Sequence, residues 1–137
     1  MIDTRSLATL SLFADLNDAQ RLAVAEAMDE ESYPRDARIL REGLSGNGFY
    51  VITEGTVSVR VGGEERARLH AGDFFGEISV LTGEPAGADV VVAGEEVRCA
   101  VLPGPQLRPL LLRYPTMALR MLEAVSVRLR EANLWAD

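Results

Sequence analysis

Apolar positions along this chain change period twice, and the changes divide it into three parts. In residues 1–31, Leu7, Leu10, Phe13 and Leu16 form one stripe. Leu22, Val24, Ala25 and Met28 then recur at helical spacing behind Asn17-Asp18, which offers a helix N-cap. This segment is expected to form N-terminal helices. In residues 32–103 the pattern turns to short runs separated by glycine turns. Ala37-Arg38-Ile39-Leu40, Phe49-Tyr50-Val51-Ile52, Arg66-Ala67-Arg68-Leu69, Val90-Val91-Val92 and Val97-Arg98-Cys99-Ala100-Val101-Leu102 read as strands. Thr56-Val57-Ser58-Val59-Arg60-Val61 alternates with its valines on one face, and Gly62-Gly63 closes it into a hairpin. Short strands with turns every several residues predict a β-roll or jelly roll. Residues 106–135 return to helical spacing, with a break at Tyr114-Pro115 that starts the last helix, because proline suits a first helical position.

The fold expected is therefore mainly β: a double-stranded β-helix of the jelly-roll type, with N-terminal helices and a long C-terminal helix. The length of 137 residues fits one domain spanning 1–137. Within the last helix, Ala118, Leu122, Val125, Leu129 and Ala132 alternate at spacings of four and three. That is a short heptad-like seam for a homodimer; the competing reading packs one apolar stripe on the domain's own roll. Arg120, Glu123, Arg128, Arg130 and Glu131 flank it with charge. Trp135 is a candidate partner contact or a plug of the chain's own tail.

Composition removes several function classes. The net charge is −7, and all 14 basic residues are arginine. An acidic domain lacks the footprint of a nucleic-acid binder, so no direct nucleic-acid binding is expected. No apolar run approaches a membrane span and no signal peptide is visible, which predicts a cytoplasmic protein. One cysteine excludes an internal disulfide, and Cys99 reads as a small core residue. A single histidine, His70, cannot build a metal cluster or a Ser-His-Asp set, so neither a metal site nor an enzyme is expected.

The stretch that carries function is Phe75-Gly76-Glu77-Ile78-Ser79-Val80-Leu81-Thr82-Gly83-Glu84-Pro85-Ala86-Gly87-Ala88-Asp89-Val90. It resembles the phosphate-binding cassette of cyclic-nucleotide-binding domains of the Crp/Fnr-like kind, F-G-E-[LI]-[AS]-L-[LI]-x-x-x-P-R-[AS]-A-[ST]-V. Gly72-Asp73-Phe74-Phe75-Gly76-Glu77 and Phe49-Tyr50-Val51-Ile52-Thr53-Glu54-Gly55-Thr56-Val57 are similar to further family phrases. The resemblance implies a regulatory domain with a candidate pocket at Phe75, Gly76, Glu77, Ile78, Ser79, Ala86, Gly87, Ala88 and Asp89. It implies that Gly76 allows close approach of the ligand, that Glu77 accepts a ribose hydroxyl, and that ligand contact moves the C-terminal helix.

The phosphate-pairing arginine of that pattern falls on Ala86, and its small hydroxyl residue on Asp89. Losing a charge-assisted pair of this kind costs about 2–5 kcal/mol, and a carboxylate near the phosphate adds repulsion. No cofactor is certain on this reading: cyclic AMP or cyclic GMP is the implied ligand and weak or absent binding is expected. Arg98 is the nearest downstream arginine. A neutral ligand, a differently shaped ligand, and none at all stay open. The alternative function is a ligand-free module for dimerisation or for docking on a protein partner.

Overall fold

The computed structural model describes the backbone of residues 2–136 and the side chains up to residue 132, so the expectation for Trp135 lies outside the described residues. Helices α1 (Thr4–Ala8) and α2 (Asp18–Ala27) precede eight strands. Asn17 caps α2 in a reciprocal box: its side chain accepts from Gln20 N, and Gln20 Oε1 accepts from Asn17 N, both at 2.9 Å. The strands are β1 (Asp29–Pro34), β2 (Arg38–Leu40), β3 (Gly48–Glu54), β4 (Thr56–Val61), β5 (Glu64–His70), β6 (Phe74–Phe75), β7 (Asp89–Val92) and β8 (Glu96–Pro103). Between β6 and β7 lies α3 (Glu77–Thr82), and α4 (Leu107–Arg113) and α5 (Pro115–Ala136) complete the described chain.

Two antiparallel four-stranded sheets form the roll, in the orders β1-β8-β3-β6 and β2-β7-β4-β5. The first sheet is a wall between two cores. Phe49, Val51, Phe74, Ala100 and Leu102 project from it into a cluster with Leu7, Leu12, Phe13, Val24 and Met28 of the N-terminal segment and with Leu107, Met117 and Met121 of the C-terminal helices. Ile52, Phe75, Val97 and Cys99 project the other way, onto Val57, Leu69, Val90 and Val92 of the second sheet. Strand side chains alternate in direction, so β3 from Phe49 to Ile52 and β8 from Cys99 to Leu102 are apolar on both faces and show no polar–apolar alternation there.

The mainly-β roll with flanking helices is as expected, and its strands lie close to where they were read. Two elements differ. The N-terminal helical segment stops at Ala27, and Asp29–Pro34 is a strand rather than the end of a helix. That strand sits at the edge of its sheet with every residue but Tyr33 exposed, so it carries no hydrophobic period to read. β6 is only two residues long, too short for any periodicity. Leu22, read with the buried stripe of α2, is exposed.

Cys99 is a core residue: burial, with the Glu31 carboxylate adding to it, pushes its thiol up to about 12. Among the described residues, no helix is long and apolar enough to cross a membrane, and no group of three or more His, Cys, Asp or Glu is placed to hold a metal.

The β3–β4 turn tolerates only glycine. Gly55 has φ of +97°, and a Cβ there would lie 2.5 Å from the Glu96 carbonyl oxygen. Gly55→Ala is expected to lower stability by about 1–3 kcal/mol in urea unfolding. An unchanged midpoint would show that the two strand ends separate freely.

Candidate functional site

The cassette starts where β6 ends. Phe75 stacks on Tyr50 with ring centroids 4.8 Å apart and planes 6° from parallel. Gly76 then turns the chain with φ of +92° into α3. A Cβ on Gly76 would lie 2.5 Å from Gly48 O and 3.2 Å from the Tyr50 ring. The approach of β3 within this chain is by itself enough to require glycine here, independently of the ligand contact expected from the resemblance.

Glu77 is 6% exposed and Ser79 8%. Arg128, on α5, reaches Glu77: its Nη1 lies 3.5 Å from Glu77 Oε1. The same guanidinium donates through Nη2 to the Phe74 carbonyl and lies 4.5 Å from the centroid of the Phe74 ring. One side chain thus holds the C-terminal helix to the cassette by an ion pair, a main-chain hydrogen bond and a cation–π contact. The Glu77 carboxyl is nonetheless held above its ordinary range. Burial is the largest cause, opposed by the residue's own backbone N–H and by Arg128. Glu77 Oε2 and Ser79 Oγ have no hydrogen-bond partner. Ile78, between them in sequence, is exposed.

The second half of the cassette is tied to the β2–β3 loop. Ala86 donates to Leu44 O at 2.9 Å and accepts from Gly43 N at 2.8 Å. Its methyl is buried. Gly87 is exposed and Ala88 half-buried. Asp89 is committed to the same loop. Its Oδ1 accepts from Glu42 N at 2.7 Å, and its Oδ2 lies 3.9 Å from Arg38 Nε. Arg98 does not replace an arginine at 86, since it sits among Glu30, Glu54 and Glu96 at 3.5–3.7 Å. Elsewhere, a depression of about 240 Å³ lined by Asp29, Glu31, Asn47, Gly48, Tyr50, Val101 and Pro103 contains no cassette residue.

The structure thus brings Gly76, Glu77 and Ser79 together with Arg128, and places Asp89 on the loop. Arg128 was read from sequence only as flanking charge. The signal that finds it is the buried side of α5: Met117, Met121, Ala124 and Val125 pack on the core, and Arg128 continues that face. Val125, expected in a dimer seam, therefore turns toward the domain's own core. Ala118 is half-buried, while Leu122, Leu129 and Ala132 are exposed, together with Leu119.

Comparison with known proteins agrees with this geometry. Residues 30–114 match the family model described as cyclic nucleotide-binding domain. A similar protein is the cAMP-dependent protein kinase type II regulatory subunit of Drosophila melanogaster, 34% identical over 100 residues that make up 70% of this chain and 26% of that protein. The chain thus spans about a quarter of the length of that relative. A crystal structure of the Thermus thermophilus catabolite activator protein is 29% identical with a TM-score of 0.78, covering 93% of this chain and 62% of that one. The regulatory subunit of a cAMP-independent protein kinase A from Trypanosoma cruzi, bound to guanosine, is 27% identical with a TM-score of 0.70, covering 80% of this chain and 39% of that one.

Arg128→Met tests the latch. It leaves Glu77 buried without its cation, so stability near neutral pH is expected to fall by about 1–3 kcal/mol. A carboxyl raised in the folded state binds its proton there at pH values where the unfolded chain has lost it, so its contribution is lost as pH rises. The deficit should accordingly shrink as pH falls toward the ordinary glutamate value, and Glu77→Gln should rescue much of it. A deficit independent of pH, read by urea titrations across that range, would mean the ion pair contributes nothing.

Proposed function

The chain belongs to the cyclic nucleotide-binding domain family, and we propose that it is a non-enzymatic regulatory domain whose cassette does not hold a cyclic phosphodiester in the family's usual way. The observation that carries this is Ala86: a buried methyl, pinned by two main-chain hydrogen bonds, stands where the family pattern has its arginine. The phosphate of a cyclic nucleotide would have to give up its hydration there without a charged partner. The Trypanosoma cruzi relative, bound to a nucleoside that carries no phosphate, supports a site that works without that pair. Signal output runs through α5. Arg128 touches both Glu77 and the β6 main chain, so a ligand that engages Glu77 changes what holds the helix.

The test is calorimetry and thermal unfolding with cyclic AMP and cyclic GMP. A ligand at about a hundred times its Kd adds about 2.7 kcal/mol of stability. Neither compound is expected to shift the wild-type midpoint at micromolar concentration. Ala86→Arg is expected to gain cyclic AMP affinity by about tenfold or more. Asp89 should stay in place in that variant because it holds Glu42 N. Nanomolar or low-micromolar binding by the wild type would sink the reading.

One observation favours a second activity, self-association. Leu119, Leu122 and Leu129 are each about 60% exposed on the side of α5 away from its buried face. A second copy pairing through this ridge would cover them, as knobs into holes. Sedimentation of the wild type against Leu122→Glu with Leu129→Glu is expected to show a dimer converted to a monomer. A wild type that is monomeric at high micromolar concentration would remove this reading. A protein partner docking on the same ridge is the remaining alternative for it.

A further inference from the structure

Strand β1 is an open edge of the first sheet. It is hydrogen-bonded to β8 on one side and to no strand on the other. Among the described residues, Glu30, Glu31, Ser32 and Tyr33 make no main-chain hydrogen bond outside that ladder. Such an edge offers a row of main-chain donors and acceptors to a further strand. The row ends at Pro34, which has no N–H to give.

Charge decides which strand can join. β1 reads Asp29-Glu30-Glu31-Ser32-Tyr33-Pro34, with three carboxylates and no basic residue. β5, the long edge of the second sheet, instead mixes Glu64 and Glu65 with Arg66 and Arg68. On one face of β1, Arg98 is shared by Glu30, Glu54 and Glu96 at 3.5–3.7 Å, so one cation serves three carboxylates. Asp29, Glu31 and Tyr33 alternate onto the other face, toward the roll. There Glu31 accepts the Tyr33 hydroxyl and, among the described residues, meets no cation. Its charge is felt inside: burial, with the Glu31 carboxylate adding to it, pushes the Tyr50 hydroxyl up. Asp29 and Glu31 are also the acidic side of the depression of about 240 Å³ that extends over Val101 and Tyr50. Like charges directly opposite one another destabilise a strand pair, so a second copy of β1 fits this edge badly and a basic strand fits it well.

We propose that the β1 edge is a docking site for an extended basic segment of a partner protein, which adds a strand to the first sheet and sets an arginine or lysine against Glu31 at the mouth of the depression. Main-chain bonds along residues 30–33 hold the segment. Successive side chains of a strand point to opposite faces, so two adjacent basic residues serve both: one meets Glu31 and the next meets Glu30. The depression gives the long stem of the first room to lie over that face of the sheet. This edge is separate from the cassette and takes its partner whatever the cassette binds.

The test is fluorescence anisotropy on the 137-residue chain with a labelled peptide of sequence VRKVRV, acetylated and amidated at its ends. It is expected to bind at micromolar concentration, and the same peptide with glutamate at each basic position is not. Glu31→Gln is expected to weaken binding about fivefold or more. Its side chain is exposed, so the variant folds as the wild type does. Two further peptides, N-methylated at one or the other set of alternate residues, separate strand addition from plain attraction. A strand turns only one set of its N–H groups to the sheet, so one version should lose about tenfold or more and the other little. Amide hydrogen exchange at residues 30–33 should slow in the complex. Equal affinity of the two methylated versions would mean attraction by charge alone and overturn the inference. Binding that Glu31→Gln leaves unchanged, or no binding at high micromolar concentration, would overturn it as well.

Discussion

Everything in this domain leans on one sheet that must be dry on both sides. Strands β3 and β8 separate the helical core from the core of the roll, and neither face of the pair can carry charge into those cores without a partner. This explains why Phe49, Val51, Ala100 and Leu102 alternate with Tyr50, Ile52, Cys99 and Val101 in strands where almost nothing is polar. It also fixes the cassette. β6 is hydrogen-bonded to the edge of that wall at Tyr50 and Val51, and Gly76 follows so close to Gly48 O that no side chain fits. The position of Glu77 is thereby set by the wall before any ligand is considered.

The polar groups at the start of the cassette are arranged at a cost in stability. Glu77 is desolvated, keeps one oxygen on Arg128 at a long 3.5 Å, and leaves the other unsatisfied. Ser79 is in the same condition. A domain selected for stability alone would replace both with apolar residues of similar size. By contrast Asp89, which looks equally costly in the sequence, is fully used: it receives a main-chain N–H and faces Arg38. The difference between these carboxylates is invisible in residue type and appears only in what each one meets.

How far the chain could be read follows the same line. The roll and the α2 cap were legible because hairpin glycines, alternating valines and an Asn-Asp start act locally. The boundary at Ala27 was not, since an exposed edge strand of Asp, Glu and Ser has no period. The cassette motif was legible as a string of residue types, with Ala86 at the position where the pattern has arginine. Its electrostatics were not: whether Asp89 faces ligand or loop depends on a hydrogen bond to Glu42, five elements away in the chain. Arg128 was written as one of several charges on a helix. Its role emerges only because Met117 and Met121 fix which side of α5 faces inward. The proposed seam suffered from the same ambiguity, since Val125 lies at the border of the buried face.

Arg128 and the leucines at 119, 122 and 129 occupy opposite sides of one continuous helix. A helix is stiff along its length, so it turns or tilts as a lever rather than bending residue by residue. Whatever grips the outer ridge therefore also sets the angle at which the guanidinium meets Glu77. Thermodynamic linkage makes such a lever work equally in both directions. Under the proposed function, occupancy inside the roll and company outside it become two readings of a single degree of freedom.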